Sequence, residues 1–75
     1  MNAGDLVETM HDEGARMGYV TIYGEVVRST PCYLTVLWES GIKQKILKEA
    51  HGHLVSRARN IDFAKEQMAK LKARP

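Results

Sequence analysis

The chain has 75 residues, of which 44% are hydrophobic, with 11 Lys or Arg, 9 Asp or Glu and one cysteine. This length supports one small domain that buries only about 60% of the surface its unfolded chain exposes. A single cysteine excludes an internal disulfide, and no apolar run approaches the roughly 18 residues that a membrane-spanning helix needs. We therefore expect a domain with no part in a membrane, located in a reducing compartment such as the cytoplasm.

The two halves of the chain carry opposite charge. Residues 1–39 contain six carboxylates and two arginines, whereas residues 40–75 contain nine Lys or Arg and three carboxylates. This asymmetry indicates either an oriented encounter with a charged partner or solvated faces of opposite sign.

Five strands are predicted in the first 59 residues. Alternating and β-branched patterns place them at 6–10, 19–28, 33–38, 42–46 and 55–57. Gly24 interrupts the second pattern, and a glycine inside a strand is typical of a bulge or sharp bend. Ser40-Gly41 predicts a tight turn between the third and fourth strands, with Trp38 on the inner face of that hairpin. Residues 11–18 have two glycines and no periodicity, so they are predicted to form a loop.

The last part of the chain predicts helical structure. Residues 48–54 should form a short helical turn that breaks at Gly52. Asn60 is a candidate N-cap, and it precedes an apolar stripe at helical spacing formed by Ile61, Ala64, Met68 and Leu71. Because a helix of about 12 residues is marginal alone, we expect the stripe to dock on the sheet, on a second copy or on a partner. The predicted units are thus residues 1–59 and 60–75.

This arrangement of elements resembles an SH3-like barrel. Gly4-Asp5-Leu6-Val7 and Gly18-Tyr19-Val20 resemble a KOW motif, which occurs in ribosomal proteins and in NusG-type transcription factors. Together with Val36-Leu37-Trp38-Glu39-Ser40-Gly41, they also resemble small SH3-like proteins encoded by bacteriophages. The resemblance implies a mainly β protein, a five-stranded SH3-like small barrel with a C-terminal amphipathic α-helix, of phage origin.

Candidate catalytic and metal-binding residues are few. His51 and His53 have no further ligands nearby in sequence to complete a four-ligand site, so no metal is predicted there. Cys32 has no neighbouring histidine, and we expect it to be a buried small apolar residue. No phosphate-binding glycine loop or nucleophile elbow occurs. We therefore expect a binding protein that is not an enzyme and needs no cofactor.

Three sets of residues are candidates for partner binding: a basic strip, an aromatic surface, and the helical stripe with its basic flank. The basic strip consists of Lys43, Lys45, Lys48, Arg57 and Arg59. The aromatic surface consists of Tyr19, Tyr23 and Tyr33. The helical set consists of Ile61, Lys65, Met68, Leu71 and Lys72. The tyrosines fall in the acidic half of the chain. This separation disfavours a platform for single-stranded nucleic acid and favours a protein interface.

The favoured interpretation is a phage-type accessory protein that binds a larger protein machine in the host cytoplasm. The KOW-like motif implies the host transcription machinery as that partner. Two alternatives stay open at this point: a structural component of the virion, and a module that binds nucleic acid directly. Self-association through the C-terminal helix is a further expectation.

Overall fold

A computed structural model of the chain describes residues 1–12 and 18–73. Its elements are β1 Leu6–Asp12, β2 Tyr19–Ser29, β3 Tyr33–Trp38, β4 Lys43–Leu47, α1 Lys48–His51, a 3₁₀ turn at Gly52–Leu54, β5 Ser56–Arg57 and α2 Ile61–Lys72. The strands form one antiparallel sheet in the order β4-β3-β2-β1-β5. The predicted mainly β fold with a C-terminal helix is confirmed. None of the described helices is long and apolar enough to cross a membrane.

The sheet is open rather than closed by hydrogen bonds. Its edges are β4 and β5, which do not pair with each other within the described residues. A closed barrel has no such edges, so barrel closure is not shown. The long strand β2 joins the two halves of the sheet: residues 19–25 pair with β1, and residues 24–29 pair with β3.

Gly24 lies where these two pairings overlap, and it serves a different purpose from the predicted bulge. The register shift occurs between Val26 and Arg28 instead. Gly24 lies directly opposite Trp38, and a Cβ on it would come within 2.7 Å of the indole ring and 2.8 Å of a Val36 methyl group. The missing side chain therefore makes room for the tryptophan ring in a close-packed interior.

The inner face of the sheet carries the core. One buried cluster consists of Val7, Val26, Leu34, Val36, Trp38, Ile46 and Val55. Trp38 is only 7% exposed, and its indole N–H donates a hydrogen bond to Gln44 Oε1 at 2.9 Å. The indole ring is thus buried while its N–H keeps a hydrogen-bond partner, as a buried tryptophan requires. The predicted position of Trp38 on the inner face is confirmed.

The β3–β4 hairpin closes at the predicted Ser40-Gly41 turn. Gly41 has a φ of 91°, which a side chain would strain, and its N–H donates to the Trp38 carbonyl at 2.8 Å. The Trp38 N–H in turn donates to the Ile42 carbonyl at 2.9 Å. The turn therefore sets the register that brings Trp38 over the core.

Two local predictions were wrong. Cys32 is exposed, because it lies in the bend between β2 and β3 and outside the alternation that buries side chains. His11 and Asp12 extend β1, since the ladder with β2 continues through them to Val20 and Tyr19. Residues 13–17 of the predicted loop lie outside the described residues.

The helix α2 begins as predicted and packs on the outer face of the sheet, opposite the core. Asn60 caps it: its side-chain oxygen accepts a hydrogen bond from the Phe63 N–H at 3.0 Å. Ala64 and Met68 are buried, and the helix lies against β1 and β2. The apolar stripe therefore docks on the sheet of its own chain.

Two contacts fix the helix at its ends. Near the start of α2, the rings of Tyr23 and Phe63 meet edge to face, with 5.2 Å between their centroids. Near its end, Lys72 Nζ lies 2.9 Å from Glu25 Oε1. Because Tyr23 and Glu25 alternate with the inward-facing Gly24, both contacts lie on the outer face.

Candidate functional site

The structure divides the predicted basic strip among three places. Lys43 and Lys45 lie on the edge strand β4, two residues apart and therefore on the same side of it. Lys48 begins α1 and is half-buried. Arg57 and Arg59 lie at the opposite edge, on and just after β5. The structure thus groups the two lysines of β4 at one edge of the sheet and the two arginines at the other.

The three tyrosines are also separated. Tyr33 stands beside Lys45, whose Nζ lies 4.4 Å from the ring centroid. Tyr23 is half-buried against the Phe63 ring of α2. The Tyr19 side chain lies outside the described part of the protein. Tyr33 is therefore the predicted aromatic residue that the structure places beside a basic side chain on an accessible surface.

The residues of the helical set differ in how far their side chains are buried. Met68 is 2% exposed beneath the helix, and Leu71 is half-buried. Lys72 pairs with a carboxylate of the sheet. Ile61 and Lys65 are exposed. Met68 and Lys72 therefore hold the helix to its own sheet, while Ile61 and Lys65 stay accessible to solvent.

A groove on the inner side of the sheet was missed at the sequence level. Two adjoining depressions have volumes of about 520 and about 330 Å³ and share Thr9, Trp38 and Gln44. The first extends to Ile42 beside the β3–β4 turn, and the second extends to Leu54 in the 3₁₀ turn. Together they form one channel with Trp38 in its floor, which we call the apolar groove.

Three large apolar side chains border the apolar groove and stay mostly in water. Met10, Ile42 and Leu54 are 65%, 64% and 55% exposed. Thr9 Oγ1 donates a hydrogen bond to the Leu54 carbonyl at 2.8 Å, which ties the 3₁₀ turn to β1. Single exposed apolar residues are ordinary, but several around one concave surface mark an interaction site.

The charged side chains at the apolar groove are basic. Lys43 lines the first depression, and Lys45 and His51 line the second. Within residues 1–12 and 18–73, no carboxylate lines either depression. The groove therefore suits a ligand that combines apolar groups with negative charge.

Strand alternation could not reveal this groove. The pattern of residues 42–46 assigns Ile42 and Ile46 to one buried face, and Ile46 is indeed buried. Ile42, however, precedes β4 and is 64% exposed, because none of the described elements covers that end of the sheet. Its only sequence signal is an isoleucine placed directly after a tight turn.

Metal-binding groups do not come together in the described part of the chain. No cluster of three or more His, Cys, Asp or Glu side chains there could hold a metal ion.

Comparison with protein-family models, characterised proteins and solved structures yields no match for the chain. The KOW-like and phage-type resemblances therefore stay predictions that rest on the motif residues. Function has to be argued from the surfaces of the protein itself.

Proposed function

We propose that the chain is a non-catalytic docking protein whose apolar groove binds a segment of a larger protein. The observation that carries this proposal is the exposed border of Met10, Ile42 and Leu54 around the buried Trp38. Interfaces concentrate binding energy where apolar anchors fill a desolvated pocket. A partner segment seated along the apolar groove would cover these three border residues.

We infer that the sheet is a partly open form of an SH3-like barrel. Support comes from β2, which pairs with β1 through its first half and with β3 through its second. One strand shared in this way is what lets a small barrel fold its sheet over a single core. In this interpretation the apolar groove lies in the gap between the two edge strands, β4 and β5, which do not pair with each other in the described part of the chain.

The basic residues at the apolar groove indicate which kind of partner segment it would bind. Lys43 and Lys45 border it without an opposing carboxylate among the described lining residues. We therefore expect a segment with one or two apolar anchors flanked by Asp or Glu. Complementary charge of this kind raises the association rate and fixes orientation more than it raises affinity.

The biological assignment rests on the motif resemblance. The KOW-like residues Gly4 to Val7 and Gly18 to Val20, with the phage-type outline around Trp38, favour an accessory protein of the host transcription machinery. With this partner we expect the protein in the host cytoplasm.

The test uses two matched isoleucine variants. Ile42→Gln removes the apolar side chain that is 64% exposed at the groove, and Ile61→Gln removes one that is 43% exposed on α2. Tagged wild type and both variants are incubated with bacterial lysate, and the bound proteins are identified by mass spectrometry. We expect RNA polymerase subunits with wild type and Ile61→Gln, and at least a tenfold loss with Ile42→Gln.

The remaining outcomes each contradict part of the proposal. Equal capture by Ile42→Gln would place the interface elsewhere. Capture of capsid or tail proteins alone from an infected lysate would favour the virion alternative. Concentration-dependent dimers lost in Ile42→Gln, measured by sedimentation, would show that the groove is filled by a second copy.

A further inference from the structure

The outer face of the sheet is covered on one half and open on the other. Within the described residues, the helix α2 lies over β1 and β2 and has no comparable packing against β3 and β4, where Tyr33, Lys43 and Lys45 are exposed. Four side chains define the open half: Arg28, Tyr33, Lys43 and Lys45. We call this surface the basic face.

The strand register sets the positions of its cations. Arg28 pairs with Thr35, and Thr35 pairs with Lys45, so the three form a row across β2, β3 and β4. Lys43 stands two residues from Lys45 on the same side of β4. With strands about 4.8 Å apart and about 3.4 Å per residue, the backbone positions of the three cationic residues lie about 7 to 12 Å apart.

No protein carboxylate neutralises this surface in the described part of the chain. The ion pairs found there engage Arg57, Lys70 and Lys72, and none engages a cation of the basic face. A depression of about 290 Å³ between the cations is lined by Arg28, Thr30, Tyr33, Thr35, Lys43 and Lys45, with no acidic group. Glu25, the carboxylate at the boundary with the helix, is held by Lys72 at 2.9 Å.

Tyr33 orders the basic face. Its ring lies 4.4 Å from Lys45 Nζ, a cation–π contact that holds the ammonium over the sheet. The Tyr33 N–H donates to Thr30 Oγ1 at 2.9 Å, which fixes the start of β3. Since one side of the ring already carries the ammonium, stacking with a base is a minor contribution here.

We propose that the basic face binds the phosphate backbone of nucleic acid without sequence preference. The strand register spreads the backbone positions of the three cationic residues over about 7 to 12 Å, which suits several phosphates better than one. A polymer with regularly spaced phosphates meets all three and gains from the counterions it releases. Because β4 is an edge strand, Lys43 and Lys45 also line the apolar groove, whereas Arg28 lines the basic face and not the groove.

The experiment measures binding of a short fluorescent DNA duplex by anisotropy as salt rises. Three phosphate contacts predict a slope of about −2.7 for log K against log salt, or about a 40-fold loss between 50 and 200 mM. The expected affinity lies in the range of non-specific binding, with Kd of about 10⁻⁴ to 10⁻⁶ M. A second duplex of different sequence should bind within about twofold.

Paired variants locate the contact. Lys43→Gln with Lys45→Gln should reduce the slope to about −0.9, and Arg28→Gln alone to about −1.8, at about 0.9 per phosphate. The matched control is Lys65→Gln with Lys70→Gln, which removes the same charge from α2 and should leave the slope near that of wild type. Arg28 does not line the apolar groove, so its effect separates this surface from the protein-docking site.

Three results would overturn the inference. An equal loss in the helix control would mean that diffuse positive charge, and not the basic face, binds DNA. A slope near zero would exclude phosphate contacts. Tighter binding to vesicles containing phosphatidylserine than to DNA, lost in Arg28→Gln, would assign the surface to an anionic membrane.

Discussion

The two faces of the sheet bury very different amounts of apolar surface. The inner face buries a continuous cluster of seven residues around Trp38. On the outer face, the buried apolar residues that α2 contributes are Ala64 and Met68, one of which is an alanine. Since hydrophobic stabilisation follows the apolar area removed from water, the inner face should hold most of the stability.

The outer layer relies more on contacts at its rim. The Arg59 N–H donates to Glu8 Oε1 at 2.7 Å where the chain approaches α2, and the edge-on pair of Tyr23 and Phe63 follows. Such contacts fix the position of the helix but contribute less than buried area does. The helix is therefore attached to a sheet whose own core lies on the opposite face. Four measurements test it.

The largest effect should come from Trp38→Ala. Truncating a buried aromatic residue costs about 3–5 kcal/mol of unfolding free energy, because it removes packing and leaves a cavity. Denaturant unfolding monitored by circular dichroism gives the value. The counterpart on the outer layer is Phe63→Ala, which removes a ring that is 43% exposed and should cost about 1 kcal/mol. Equal losses in the two variants would refute the difference between the faces.

Ending the chain after Arg59 should have the next largest effect. Removing α2 uncovers the outer side of β1 and β2 and forfeits the burial of Met68, worth about 1.5–3 kcal/mol on its own. We expect a folded sheet with a lower melting temperature and an intact tryptophan signal, measured by calorimetry and near-UV circular dichroism. Complete unfolding would show that the helix belongs to the core and that residues 1–59 are not a unit.

Gly24→Ala tests the inner face by adding one methyl group. Its Cβ would lie 2.7 Å from the Trp38 ring, so we expect a loss of about 1–3 kcal/mol from overpacking. Gly52→Ala is the control, because its Cβ would come no closer than 3.8 Å to Lys48 Cβ. That substitution should leave stability unchanged or raise it slightly. A Gly24→Ala protein as stable as Gly52→Ala would mean that the tryptophan ring is free to move away.

The smallest effect should come from the rim of the outer layer. Lys72→Gln breaks the contact with Glu25, and because both groups reach solvent we expect a loss of less than about 1 kcal/mol that fades in high salt. Lys70→Gln, which breaks the i,i+4 pair with Glu66, should cost about 0.3–0.5 kcal/mol. A loss above about 2 kcal/mol for Lys72→Gln would show that this ion pair, and not buried area, holds the helix.

The amino-acid sequence determined the elements of this fold because their signals are local. Alternation placed Val36 and Trp38 on one face, the Ser40-Gly41 pair marked the hairpin turn, and Asn60 marked the start of α2. Each of these signals acts between residues a few positions apart.

Only the tertiary structure decided how surfaces are composed, because that depends on residues far apart in the chain. Pairing across the sheet joined Arg28 to the lysines of β4 and sent Arg57 to the other edge. The open end of the sheet left Ile42 in water although its pattern matches that of the buried Ile46. A strand pattern reports which side chains share a face, but whether another element covers that face depends on long-range packing.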